Sequence, residues 1–207
     1  MKAITFWFDP VSPFAYLAFE HLPEALEGCS YAVTYRPVLF AGMLAHWGQK
    51  GPAEIEPKRA WTFRHVAWWA HERGIAIDTP SVHPFNPLLL LRLMTACGPN
   101  RRVVEAVMRH VWIGGDDAAD AARVAALAQG LAPARDPASA EVKGELRAAT
   151  DEAIARGVFG VPTFELDGRL FWGVDALPML RAALLGDPWF AGPAWDAVAQ
   201  PRPGVIR

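Results

Sequence analysis

The residues with the clearest chemical potential lie in three short stretches. Ser12-Pro13 stands where the apolar run Ala3 to Phe8 (AITFWF) gives way to helical spacing. Serine is a preferred helix N-cap and proline is favoured at the first helical position, so the pair starts a helix on local grounds alone. The same junction has a second reading. At the carboxyl end of a strand that opens into a helix, unpaired N–H groups and the helix dipole favour an anion, and a thiolate is such an anion. Val161-Pro162-Thr163 places a proline directly before a short β-rich run. It reads either as an ordinary strand-initiating proline or as a cis proline that leaves the polar backbone of Val161 free to pair with a peptide-like ligand. Val174-Asp175 marks the start of the last helix, where Asp175 serves either as an N-cap or as the partner of a ligand ammonium group beside free backbone N–H groups. Those two jobs compete for one carboxylate.

The elements that must position these stretches follow from pattern. The run Ala3 to Phe8 suits a strand buried on both faces, and Phe14, Leu17, Ala18, Leu22, Ala25 and Leu26 recur at helical spacing up to Gly28. Tyr31 to Val38 reads as a second strand whose Arg36-Pro37 end lies at an edge or bend, so β-α-β with parallel strands is expected. From Leu39 to about residue 135 helical patterns dominate, over Pro57 to Arg73, Asn86 to Ala96, Arg101 to Val111 and Asp120 to Leu131. Asp136-Pro137 is expected to open a further helix closed by Gly157. Thr163 to Leu166 and Leu170 to Trp172, joined by Asp167-Gly168, read as a hairpin, and a last helix is expected from Asp175 to Leu185. The fold class is therefore α/β, a thioredoxin-like domain (residues 1–38 and 136–187) interrupted by an all-helical insertion (39–135). A proline-rich tail (188–207, with Pro188, Pro193, Pro201 and Pro203) is expected to lack regular structure.

Composition narrows the function. With 207 residues, 52% of them hydrophobic, the chain can bury a core without staples, and its net charge of −2 supplies no basic field for nucleic acid. Cys29 and Cys97 form no C-x-x-C or zinc spacing, and the first acidic residue arrives at Asp9 before any signal-length apolar run. A soluble cytoplasmic protein is expected. His65, His71 and His83 have no paired spacing for a metal, so each reads as a satisfied or surface histidine and no metal site is assigned.

Taken in order, the motifs FxFDxxSPFxYLA, the Lys58-Arg59 region (EIEPKRAW), GVFGVPTF and WGxD resemble the 2-hydroxychromene-2-carboxylate isomerase family, which is similar to kappa-class glutathione transferases and more distantly to DsbA-type oxidoreductases. That resemblance implies a glutathione-dependent homodimeric enzyme with its site between the two domains. By position it makes Ser12 the hydrogen-bond partner of the glutathione sulfur and Val161, before Pro162, the main-chain clamp. Lys58 becomes a carboxylate contact, and Val174 with Asp175 the site for the γ-glutamyl end. Lys58 also reads as a solvated surface charge at a helix start. Relatives often carry Asn or Ser before the aspartate and Arg after it, where this chain has Val174 and Ala176, so one side-chain donor is missing.

Residues 12 to 15 read Ser-Pro-Phe-Ala, so no internal dithiol can exchange with a disulfide and the thiol must come from outside. The expected reaction is isomerisation of an aromatic or unsaturated oxo-acid by reversible thiolate addition. Conjugation to an electrophile and a non-catalytic peptide-binding module are the alternatives. Phe14, Arg64 and Asn86 are the candidate substrate contacts, with Trp47, Trp61, Trp68, Trp69, Phe85 and Trp112 as further candidate lining, although a tryptophan at helical spacing is more often core than pocket.

Overall fold

The computed structural model describes residues 1–202 and 204. Its elements run β1 (Lys2–Phe8), α1 (Pro13–Ala25), β2 (Tyr31–Pro37), α2 (Phe40–Trp47), α3 (Glu56–Glu72), α4 (Leu88–Cys97), α5 (Arg101–Trp112), α6 (Ala121–Leu131), α7 (Ala140–Ala155), β3 (Thr163–Leu166), β4 (Arg169–Trp172), α8 (Leu177–Leu184) and α9 (Pro193–Val198). The four strands form one mixed sheet in the order β2-β1-β3-β4. β1 and β2 are parallel, as the β-α-β pattern requires, whereas β3 runs antiparallel to both β1 and β4. β2 lies at the sheet edge, where Pro37 leaves no inner ladder bond unmade.

β1 is apolar at Ile4 and from Phe6 to Phe8, where both of its faces are covered, while Lys2, Ala3 and Thr5 in its first half keep some exposure. Ile4, Phe6 and Phe8 point into the larger cluster, where the Phe6 ring stacks on Phe8 at 5.0 Å and on Phe164 at 4.7 Å. Trp7 points the other way, into a second cluster with Val38, Met43, Ala153, Val158 and Val161. Each such side chain contributes about 1.5–3 kcal/mol relative to leaving it exposed, which fixes the strand register. The carboxyl end of this immobile strand is thus a rigid base for the turn that follows.

Several boundaries depart from the sequence expectation. α2 was not foreseen. Its eight residues are too few to show a clear period, and their apolar character serves packing against α7. α7 begins at Ala140 with Ser139 as its cap, not at Asp136-Pro137: the Asp136 side chain accepts from Ala138 N (2.8 Å) in a local turn, and Ser139 Oγ accepts from Val142 N. α8 begins at Leu177, and Val174–Ala176 is a 3-10 turn in which Asp175 makes no capping bond. The tail is also more ordered than its prolines suggested. Pro188 and Pro193 each occupy the first turn of a short helix, where a missing N–H costs nothing, and Phe190 is buried against Phe171 and Trp195. Pro203 and residues 205–207 of that tail lie outside the described residues. The Asp167-Gly168 hairpin has the form expected, with both residues at positive φ (51° and 76°) between paired Leu166 and Arg169.

Candidate functional site

Ser12 caps α1 with extended backbone (φ −87°, ψ 117°), and Pro13 fills the first helical position. Ser12 Oγ accepts from Ala15 N at 3.3 Å and donates toward the carbonyl of Val161 at 3.4 Å. The second contact is long for an O–H···O bond, so a stronger acceptor at this place would replace it easily. The Val161-Pro162 peptide is cis. Pro162 hands its carbonyl to Gly173 N (2.9 Å), which anchors the loop to β4, while the buried Val161 N–H makes no hydrogen bond among the described residues. A hydroxyl on a helix amino terminus thus meets the Val161 carbonyl, beside a main-chain N–H that has no partner among the described residues.

That contact lies at a cavity of about 920 Å³, near the upper end of the roughly 300–1,000 Å³ common for small-molecule sites. Ser12, Phe14, Lys58, Trp61, Phe85 and Val161 line it. Other sequence candidates lie elsewhere. Arg64 is exposed on α3 away from the cavity, and exposed Asn86 accepts from Leu88 N at 3.0 Å to start α4. Val174 is buried in the main core and Asp175 is exposed, and neither lines the cavity. Among the tryptophans, Trp69 and Trp112 are core, Trp68 is exposed on α3, and Trp47 donates to Val158 O at 3.1 Å. Trp112 still serves the site, since its Nε1 donates to Pro10 O at 3.0 Å and holds the turn before Ser12.

Two residues of the cavity wall were given no site role by the sequence reading, Asp9 and His83, the latter read as a satisfied or surface histidine. Asp9 is completely buried on the cavity floor, its Oδ1 accepting from Val11 N and its Oδ2 from Phe40 N, both at 2.9 Å. Burial pushes its carboxyl up to about 7, opposed by those two N–H bonds. The signal was present: a lone carboxylate at the end of a wholly apolar strand. His83, which precedes a second cis proline, Pro84, lines the same cavity and donates from Nε2 to Val11 O at 2.8 Å. Burial holds its pKa below the usual histidine value; the Val11 bond opposes this and the Arg59 charge adds to it. Asp9 and His83 therefore grip Val11 from either end, beside Ser12.

A strand-bound hydroxyl turn, a cis-proline loop and a helical wall around one cleft define a protein of the thioredoxin class. The chain belongs to the DSBA-like thioredoxin domain family, whose profile matches residues 3–185, and within it to the 2-hydroxychromene-2-carboxylate isomerase group. It is 30% identical over 193 residues to the 2-hydroxychromene-2-carboxylate isomerase of Sphingobium xenophagum, covering 89% of this chain and 98% of that protein. Glutathione S-transferase kappa 2 of Caenorhabditis elegans is 29% identical over 216 residues, covering 93% and 95%. A solved 2-hydroxychromene-2-carboxylate isomerase structure superposes with a TM-score of 0.79 at 24% identity, over 96% of this chain and 100% of that one.

Proposed function

We propose that the protein is a glutathione-dependent isomerase of an aromatic or unsaturated oxo-acid of the 2-hydroxychromene-2-carboxylate type. The observation that carries this reading is the pairing of Ser12 Oγ at the α1 amino terminus with the cis Val161-Pro162 peptide across a largely apolar cavity. The residues present fit the tripeptide. The unpaired Val161 N–H is a donor for a peptide-like backbone, and Lys58 brings a positive charge to the cavity wall for a carboxylate. When bound, glutathione supplies a thiol that adds reversibly to a conjugated double bond and leaves unchanged.

This chain's own part is to hold and poise that sulfur. Ser12 exchanges its long bond to Val161 O for one to the sulfur, and the α1 amino terminus favours the ionised form over the thiol. Phe14, Trp61 and Phe85 offer apolar faces to an aromatic ring and keep water from it. With Ser12 and Ala15 at the two ends of this turn there is no thiol for the exchange chemistry of a C-x-x-C pair.

Calorimetric titration with glutathione, followed by turnover of 2-hydroxychromene-2-carboxylate, tests the reading. Ser12→Ala should lower glutathione-dependent turnover about 10- to 100-fold, in keeping with the loss of one charge-stabilising donor, while leaving the fold intact. Unchanged turnover would remove Ser12 from the reaction. The kappa-class relatives favour conjugation as the second reading; with glutathione limiting, many product molecules per glutathione support isomerisation and one per glutathione supports transfer.

A further inference from the structure

The side chain of Asp9, just after β1, connects two segments that both line the cavity. Its Oδ1 accepts from Val11 N, one residue before Ser12, and its Oδ2 from Phe40 N at the first position of α2, both at 2.9 Å. The carboxylate is completely buried and makes no other hydrogen bond among the described residues. The main chain reinforces the same place: Ser12 N donates to Asp9 O at 3.0 Å, and Val38 N donates to Phe8 O at 2.9 Å. α2 depends on this distant carboxylate because its own N-cap, Leu39, supplies no capping side chain. The first N–H groups of a helix need an acceptor from outside it, and Phe40 finds one 31 residues earlier in the chain. Phe40, Ala41, Leu44 and Ala45 of this helix line the cavity, as Ser12 does. The helix start has a second anchor, since Leu39 N donates to Thr150 Oγ1 of α7 at 3.0 Å, so losing the Asp9 bond shifts α2 without unfolding it.

We propose that Asp9 is a positioning residue, a tie that fixes the Ser12 hydroxyl relative to the α2 wall of the cavity. The proposal rests on the reading of Ser12 given above and adds the group that keeps its hydroxyl at a set distance from a ligand held against α2. Only the ionised carboxylate serves both bonds fully, each oxygen offering lone pairs to one N–H. Protonation puts a hydrogen on one oxygen, where it meets an N–H donor instead of an acceptor, and one of the two bonds is given up. Burial pushes the Asp9 carboxyl up to about 7, and the N–H groups of Val11 and Phe40 oppose it. No charged side chain from β1, α1, α2 or the loop carrying His83 acts on its ionisation. His83 reaches the same residue from its other end, through the Val11 carbonyl at 2.8 Å. The neutral form is the easier one to bury, so acid loosens the tie as the pH falls through 7 and leaves the fold intact.

Deleting one N–H tests the tie without touching the carboxylate. Phe40→Pro removes the donor to Oδ2; proline suits the first position of a helix, and Leu39 before it already has extended backbone (φ −85°, ψ 102°). Phe40→Ala is the control, since it removes the same ring from the cavity wall and keeps the N–H. Turnover of 2-hydroxychromene-2-carboxylate with glutathione should be roughly 10- to 100-fold slower in Phe40→Pro than in Phe40→Ala, with the loss in kcat and the KM for glutathione equal within about twofold. In the wild-type protein the Asp9 13Cγ resonance and the amide protons of Val11 and Phe40 should titrate together, with one midpoint at about 7. That midpoint should lie higher in Phe40→Pro than in Phe40→Ala, because a bond that favours the charged form is gone. Equal kcat in the two variants, a loss confined to KM, or Val11 and Phe40 amide protons that ignore the carboxyl titration would overturn the proposal. If the wild-type protein fails to bind glutathione, or Ser12→Ala turns over like wild type, the reading of Ser12 falls and the tie has nothing to position. If glutathione dependence and the Ser12→Ala loss stand while Phe40→Pro matches Phe40→Ala, only the role of Asp9 falls.

Discussion

Asp9→Asn should make the stability of this protein respond differently to pH, in a direction opposite to that of most carboxylates. Asp9 is fully buried, and its folded pKa lies near 7 against a model value of 3.8. Between those values the folded protein holds a proton that the unfolded chain has lost. A state that binds more protons is favoured by acid, so this contribution is fully present below about pH 4 and disappears as the pH rises through 7. The interval spans about three pH units at about 1.4 kcal/mol each, so the full effect is about 4 kcal/mol. Asparagine cannot titrate. It also replaces one acceptor oxygen with an NH2 that faces either Val11 N–H or Phe40 N–H, a mismatch of roughly 1–3 kcal/mol that is the same at every pH.

The assay is urea unfolding of both proteins from pH 4 to pH 8, with m checked for constancy. Titration of the other groups cancels in the difference between wild type and variant. The wild-type advantage should shrink by about 4 kcal/mol across the range, with most of the change between pH 4 and 7. A difference that stays flat within about 1 kcal/mol would refute the reasoning, since it would mean that the two N–H bonds already hold the carboxylate ionised despite its burial. The consequence reaches the site, because the two N–H groups that Asp9 binds belong to Val11, next to Ser12, and to Phe40, in the first turn of α2 on the opposite wall.

Lys58→Ala should weaken glutathione binding roughly two- to fivefold, the range of an exposed charge contact, and the loss should vanish in 1 M salt; equal affinity of the two proteins at low salt would free Lys58 from the site. Gly160→Ala would place a Cβ 2.7 Å from Trp172 Nε1. Trp172 is half-exposed and can swing away, so its indole NMR resonance and glutathione affinity should change while the melting temperature hardly moves. A large loss of stability would show instead that Trp172 is fixed over the cavity mouth.

The legible parts of this molecule are those whose physics is local. β1 announces its buried faces by the apolar residues Ile4 and Phe6 to Phe8, Ser12-Pro13 announces a helix start, and Asp167-Gly168 a two-residue turn, because each depends on residues within a few positions. The misplaced parts depend on contacts far away in sequence. α2 is helical where Phe40 N finds Asp9, 31 residues earlier, and Leu39 N finds Thr150, 111 residues later. Trp112 reads in sequence as core or pocket lining, and what decides for core is its packing and the bond its indole N–H donates to Pro10 O, 102 residues away. Asn86 and Asp175 lie outside the cavity lining. Their polarity suggested ligand contacts, and the backbone claims one of them while the other faces solvent.

The same long-range logic bears on why a serine occupies the turn after β1. A hydroxyl there has two internal partners, Ala15 N and Val161 O, and the second is held at 3.4 Å by packing that brings the cis-proline loop against α1. Alanine would leave the Val161 carbonyl with no side-chain donor and the α1 end of the cavity with no hydroxyl. Cysteine would meet an anion too, but with an oxidant present it could be oxidised with a bound thiol to a mixed disulfide. Threonine keeps the hydroxyl but adds a methyl at a residue only 7% exposed, in a turn whose backbone is already pinned by Asp9, His83 and Trp112. Two side chains from separate segments, His83 and Trp112, thus converge on residues 9 to 12, where Asp9 adds a bond from within the turn. A structural helix cap needs none of them, whereas a hydroxyl that must meet a reacting atom at fixed distance needs its backbone held on every side.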